Sequence, residues 1–160
     1  MRILFVCLGN ICRSPIAEGV LRHKAAAAGL DWTIASAGTE SYHIGEAPHK
    51  FSQKVCSVQG IDISGQRAKR FTAADLKAWD KIYAMAADVL EEIYSIGGRT
   101  ADYSHVGLFL NELHPGENES VPDPWYGEEA GYTPVYEMIE ATCNKIIARY
   151  GAAPTTRTDQ

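Results

Sequence analysis

The sequence predicts an α/β fold: a single three-layer domain with a central four-stranded parallel sheet flanked by helices on both faces. Three observations carry this expectation. The first strand candidate, Arg2–Cys7, is β-branched and aromatic-rich with little alternation, the pattern of a strand covered on both sides. Strand-like and helix-like segments then alternate along the chain, and Gly or Pro punctuates the changes between them.

The elements follow in order. After the strand at 2–7, Leu8 to Arg13 reads as a loop, with Gly9 and Asn10 as turn residues. Ser14 suits an N-cap and Pro15 the first helical position, so a helix is expected to about Ala28, stopped by Gly29. Trp32–Ser36 reads as strand two, closed by Gly38. Ala47–Val58 and Ala73–Trp79 read as helices, and Lys81–Met85 as strand three. A helix over Asp88–Ile96 stops at Gly97 and Gly98, and His105–Leu110 reads as strand four. Residues 111–129 form a polar loop rich in Pro, Gly and Glu. The closing helix, Thr133–Tyr150, gathers Val135, Met138, Ile139, Thr142, Cys143, Ile146 and Ile147 on one face. The domain is expected over residues 1–151, with 152–160 a disordered tail.

Composition excludes several classes. Of 160 residues, 46% are hydrophobic and 22% charged, enough to build a core with no disulfide or metal staple. A net charge of −5 and a pI near 5.5 argue against a general nucleic-acid binder. The longest N-terminal apolar stretch, Ile3–Leu8, is six residues, too short for a signal peptide or a membrane span, so the expected location is the cytoplasm. Cys7, Cys12, Cys56 and Cys143 do not have zinc-ligand spacing or the density of a secreted disulfide scaffold. Cys56 and Cys143 occupy apolar helical positions and read as core.

Residues 7–14, Cys-Leu-Gly-Asn-Ile-Cys-Arg-Ser, carry the chemistry. Backbone amides of such a loop can curl around one tetrahedral anion, and a helix start adds free N–H groups and a positive dipole end. Arg13 offers a planar fork for two phosphate oxygens. Gly9 and Asn10 tolerate positive φ. The same donors would stabilise a Cys7 thiolate at the base of the cradle, and Ser14 can donate a hydrogen bond to its sulfur. The phosphate-binding set is thus Leu8, Gly9, Asn10, Ile11, Cys12, Arg13 and Ser14. A buried structural cysteine is the plain alternative for Cys7, but it leaves the Gly, Asn, Arg and Ser offsets unexplained. Asp123 lies between Pro122 and Pro124, in a loop stiff enough to hold a carboxyl over the cradle.

Cys7-Leu8-Gly9-Asn10-Ile11-Cys12-Arg13-Ser14-Pro15-Ile16-Ala17-Glu18 resembles the phosphate-binding signature of the low-molecular-weight protein tyrosine phosphatases. Shorter segments continue the resemblance across nearly the whole chain: Ser36–Thr39, Gly60–Ala68, and Asp123–Gly127, which looks like the family's acid loop. The resemblance implies catalysis by Cys7, Arg13 and Asp123 with no cofactor and no metal. It also implies loop-fixing hydrogen bonds from Asn10 and Ser36, and a possible reversible disulfide between Cys7 and Cys12. Ile11, Tyr42, Trp125 and Tyr126 would line a cleft for a flat phenyl phosphate. His43 reads as a neighbour of that cleft or a plain surface residue. The implied partner is a tyrosine-phosphorylated protein or peptide, with no nucleic acid and no membrane, acted on by a monomer or weak dimer. One departure stands out: the family often has an acid directly after the methionine ending strand three, where this chain has Ala86.

Three other readings share the loop. A protein arginine phosphatase typically carries threonine where this chain has Ile11. A thioredoxin-coupled arsenate reductase needs relay cysteines in mid-chain, and residues 57–142 contain none. A non-catalytic phosphate-binding module needs neither a thiolate nor the proton donor that Asp123 would supply.

Overall fold

The computed structural model describes residues 1–151, the side chain of Tyr126 excepted, so the expected tail at 152–160 lies outside the described residues. Four strands, β1 (Arg2–Cys7), β2 (Thr33–Gly38), β3 (Lys81–Ala84) and β4 (Val106–Leu108), form one sheet in the order β2-β1-β3-β4. All pairings are parallel; Cys7 lies opposite Gly38, and Val6 opposite Ala84. The helices are α1 (Arg13–Ala27), α2 (Lys50–Ser57), α3 (Asp75–Ala78), α4 (Ala87–Gly97) and α5 (Tyr132–Tyr150).

The two-residue period of a strand sorts the core into two layers. Ile3, Phe5 and Cys7 of β1, with Tyr83 and Met85, pack with Ile16, Val20 and Leu21 of α1 and Val135, Ile139, Cys143 and Ile146 of α5. Leu4, Val6, Ile82 and Ala84 face the other way, against Leu76 of α3 and Val89 and Ile93 of α4. Both faces are covered, as the unbroken apolar run of β1 requires. Cys56 and Cys143 are fully buried. Among the described residues, no helix is long and apolar enough to cross a membrane.

Several expectations change in detail. Helix α1 starts one residue before Ser14, and no side chain caps it. Helix α2 starts at Lys50 rather than Ala47, because His49 is its N-cap and its Nδ1 accepts the Phe51 amide at 3.1 Å. Strand β4 spans three residues, after which Phe109–Glu112 tightens into a 3₁₀ turn. The expected loop at 111–129 contains a further 3₁₀ turn, Pro124–Tyr126, and another, Glu129–Gly131, begins at its last residue.

The His49 cap carries a pH dependence. Burial and the neighbouring Lys50 charge lower its pKa from 6.5, so the folded state favours the neutral ring. Its contribution to stability is complete above pH 6.5 and is lost as the pH falls through the lower folded value.

Candidate active site

Cys7 ends β1 at the carboxyl edge of the sheet, where open parallel sheets bind ligands. The chain then turns through residues 8–12 before α1. Carbonyls of this turn are held from outside: Thr39 N–H donates to Cys7 O at 3.0 Å, Glu40 N–H to Leu8 O at 2.9 Å, and His49 N–H to Ile11 O at 2.8 Å. Among the described residues, no backbone carbonyl accepts from the Gly9, Asn10, Ile11 or Cys12 amides, so these donors stay available to an anion. Asn10 takes the left-handed conformation at φ 59°, which asparagine tolerates better than most residues.

Gly38 allows the turn to lie against β2. A Cβ there would sit 2.8 Å from Leu8 O and 3.0 Å from Asn10 N, both backbone atoms. Gly38→Ala is therefore expected to push the loop away from the sheet. Stability should fall by about 1–3 kcal/mol and kcat/KM by roughly 10²-fold. Thermal denaturation and initial rates check both; unchanged kinetics would mean that the loop is not held by this contact.

Inside the turn, Cys7 Sγ lies 2.8 Å from Ser14 Oγ. Ser14 is thus turned inward to the sulfur instead of capping α1, and the first-turn amides keep no side-chain cap. Asn10 Nδ2 donates to Ser14 Oγ and Ser36 Oγ, each at 2.9 Å. Arg13 is almost fully buried; its Nη1 donates to Val121 O at 3.0 Å, and its Nη2 lies 3.6 Å from Asp123 Oδ2. The Asp123 loop is tied down by the Val121 amide on Met85 O at 2.8 Å, and Asp123 Oδ1 accepts the Trp125 amide at 3.0 Å. Ala86, the departure noted above, is a buried apolar residue preceding α4.

Cys7, Gly9, Ile11, Cys12, Arg13, Tyr42, His43, Asp123 and Trp125 all line one cavity of about 140 Å³. The three remaining thiols are all buried. Burial pushes Cys12 and Cys56 up to about 12 and Cys143 further up, so all three stay protonated near neutrality. For Cys12, the nearby Cys7 and Asp123 charges push the same way, against hydrogen bonds with Tyr132 and Ser52.

A family model described as low molecular weight phosphotyrosine protein phosphatase matches residues 2–154. The chain belongs to this family. The phosphatase relatives include the Bacillus subtilis low molecular weight protein-tyrosine-phosphatase YfkJ, 36% identical over 91% of this chain and 93% of that protein. The YfkJ crystal structure superposes with a TM-score of 0.86 at 33% identity, covering 100% of this chain and 97% of that one. The Drosophila arginine phosphatase DARP is also similar, with a TM-score of 0.87 at 28% identity over 95% of this chain and 99% of that one.

Of the residues singled out by the phosphatase resemblance, Cys7, Arg13 and Asp123 meet in one cavity, and Ile11, Tyr42 and Trp125 line it. Asn10 and Ser36 are buried beneath it. The side chain of Tyr126 lies outside the described residues. His43 is no plain surface residue: it lines the cavity, and its ring lies 5.5 Å from that of Trp125. An added Cβ at Gly9 would lie 3.0 Å from His43 Cδ2. Sequence reasoning also missed His49, whose ring lies edge-on to Trp125 at 5.3 Å and stacks on Tyr132 at 5.6 Å. The two histidines thus flank Trp125, and no local pattern pairs residues 43 and 49 with residue 125.

Proposed function

We propose that the protein hydrolyses phosphotyrosine monoesters through a phosphocysteine intermediate. The observation that carries this reading is the convergence of Cys7, Arg13 and Asp123 on one small cavity. In the first step the Cys7 sulfur attacks phosphorus, an S–P bond forms, and the bond to the phenolic oxygen breaks. The Asp123 proton passes to the departing phenolate. In the second step water attacks phosphorus while Asp123 takes its proton; the S–P bond breaks and phosphate leaves. Arg13 and the loop amides hold the equatorial oxygens throughout. Ser14 stabilises the sulfur as leaving group.

The positive field in this scheme comes from Arg13 and the amides, so turnover is expected to survive EDTA unchanged. Ile11, Tyr42 and Trp125 supply apolar walls suited to a phenyl ring. A tyrosine-phosphorylated protein or peptide is the substrate class that fits. Four free thiols suit a reducing compartment such as the cytoplasm.

The similarity to DARP favours phosphoarginine as a second reading. Paired phosphotyrosyl and phosphoarginyl peptides, assayed with EDTA, decide between them. Release from phosphotyrosine alone supports the proposal. A preference for phosphoarginine would keep the mechanism and overturn the substrate, and release from neither would leave a binding module.

Cys12 extends the proposal to redox protection. Peroxide would oxidise Cys7 to a sulfenic acid, and the Cys12 thiol would displace water from it to form a disulfide. Cys12→Ser is then expected to make peroxide inactivation resistant to rescue by dithiothreitol, as checked by recovered activity.

A further inference from the structure

Trp125 lines the cavity from a short 3₁₀ turn and is 43% exposed, so its own turn does little to fix the indole. Support comes from His49, which stands one layer back from the cavity. The His49 ring lies edge-on to Trp125 at 5.3 Å and stacks on Tyr132 at 5.6 Å, and Tyr132 is fully buried. Phe51 completes the group, 5.1 Å from His49 and 5.5 Å from Tyr132. Aromatic pairs attract at such spacings. A run of rings thus joins Trp125 to the core.

His49 also holds a second wall. Its backbone N–H donates to Ile11 O at 2.8 Å, and Ile11 lines the same cavity. The residue type matters here. Position 49 is the N-cap of α2, where asparagine, aspartate, serine and threonine are preferred. Each of these could accept the Phe51 amide that His49 Nδ1 accepts at 3.1 Å, but none has a ring to set against Trp125. Histidine does both: the cap bond fixes the imidazole, and the fixed imidazole meets the indole. His43 is the second ring against Trp125, at 5.5 Å, with its Nδ1 3.2 Å from Glu46 Oε1.

The geometry points to His49 as a positioning residue that braces Trp125 against the buried Tyr132, and so holds the walls formed by Ile11 and Trp125 at the spacing a flat phenyl ring requires. This rests on the reading of the cavity as an aryl phosphate site and names what fits it to the aryl group. A purely structural His49 would only cap α2, and a capping residue without a ring would then replace it with ligand binding unchanged.

The test is calorimetric titration with two probes, and thermal denaturation alongside shows that each variant is folded. Phenylphosphonate occupies the cradle and the aryl slot; inorganic phosphate occupies the cradle alone. Neither probe is turned over, so the result stands apart from activity toward phosphotyrosine. His49→Asn, which can keep the cap bond, is expected to weaken phenylphosphonate by roughly three- to tenfold, the loss of one aromatic pair, and to leave phosphate binding unchanged. In a Trp125→Ala background, His49→Asn should add little. If His49→Asn does not fold, His49→Ser, a second cap without a ring, is expected to give the same loss. Wild-type affinity for phenylphosphonate in a folded ringless variant, equal weakening of both probes, or a full further loss in the Trp125→Ala background would overturn the proposal. A wild type that binds phenylphosphonate no more tightly than phosphate would overturn the aryl reading itself, and the proposal with it.

Discussion

Cys7→Ser is expected to abolish turnover, by about 10⁵-fold or more, while phosphate binding persists. A serine hydroxyl is close to isosteric with the thiol but is scarcely ionised near neutral pH, and Asp123, which gives up a proton in the first step, is not free to take the hydroxyl's. Ser14 Oγ, 2.8 Å from the sulfur, is committed to the anion cradle and to the Asn10 bond. The donors that would hold phosphate, Arg13 and the loop amides, are untouched by the change. Rates and phosphate titration calorimetry on the same preparation separate the two effects. Appreciable residual turnover would mean that the attacking atom is elsewhere. The three other thiols are poor substitutes, since burial keeps each of them protonated.

Asp123→Asn is expected to lower kcat by about 10²–10⁴-fold, the range for a lost general acid. The fold of the loop should survive, because asparagine Oδ1 can still accept the Trp125 amide that Asp123 accepts at 3.0 Å. The size of the loss should follow the leaving group. Phenyl phosphate, whose phenolate needs a proton to depart, should suffer most, and esters of strongly acidic phenols least. A loss that does not vary with the leaving group would assign that role to another group.

The parts of the molecule legible in the sequence are those whose signal is local. The apolar run of β1, the Cys-x5-Arg spacing and the apolar face of α5 each lie within one segment, and the structure places them as read. Ser14 shows where local rules mislead. Its sequence context favours an N-cap, yet its hydroxyl is drawn to a sulfur seven residues earlier, and the helix begins at Arg13, two residues sooner than the expected Pro15. Strand β4 shows a second limit: as an edge strand it pairs only with β3, and the apolar run at 105–110 does not show where pairing gives way to a 3₁₀ turn. His43 and His49 show a third. Their packing on Trp125 joins segments more than seventy residues apart, and neither histidine sits in a pattern that points there.

Rapid quenching of Asp123→Asn during turnover of an activated aryl phosphate, followed by peptide mapping, addresses the nucleophile most directly. With an acidic phenol as leaving group the first step needs no proton donor, while the second still lacks its base, so the covalent species should accumulate. A phosphoryl group on the peptide bearing Cys7, absent when Cys7 is also changed to Ser, is the predicted result. A phosphoryl group on another residue, or none at any time point while phosphate is released, would contradict the phosphocysteine route.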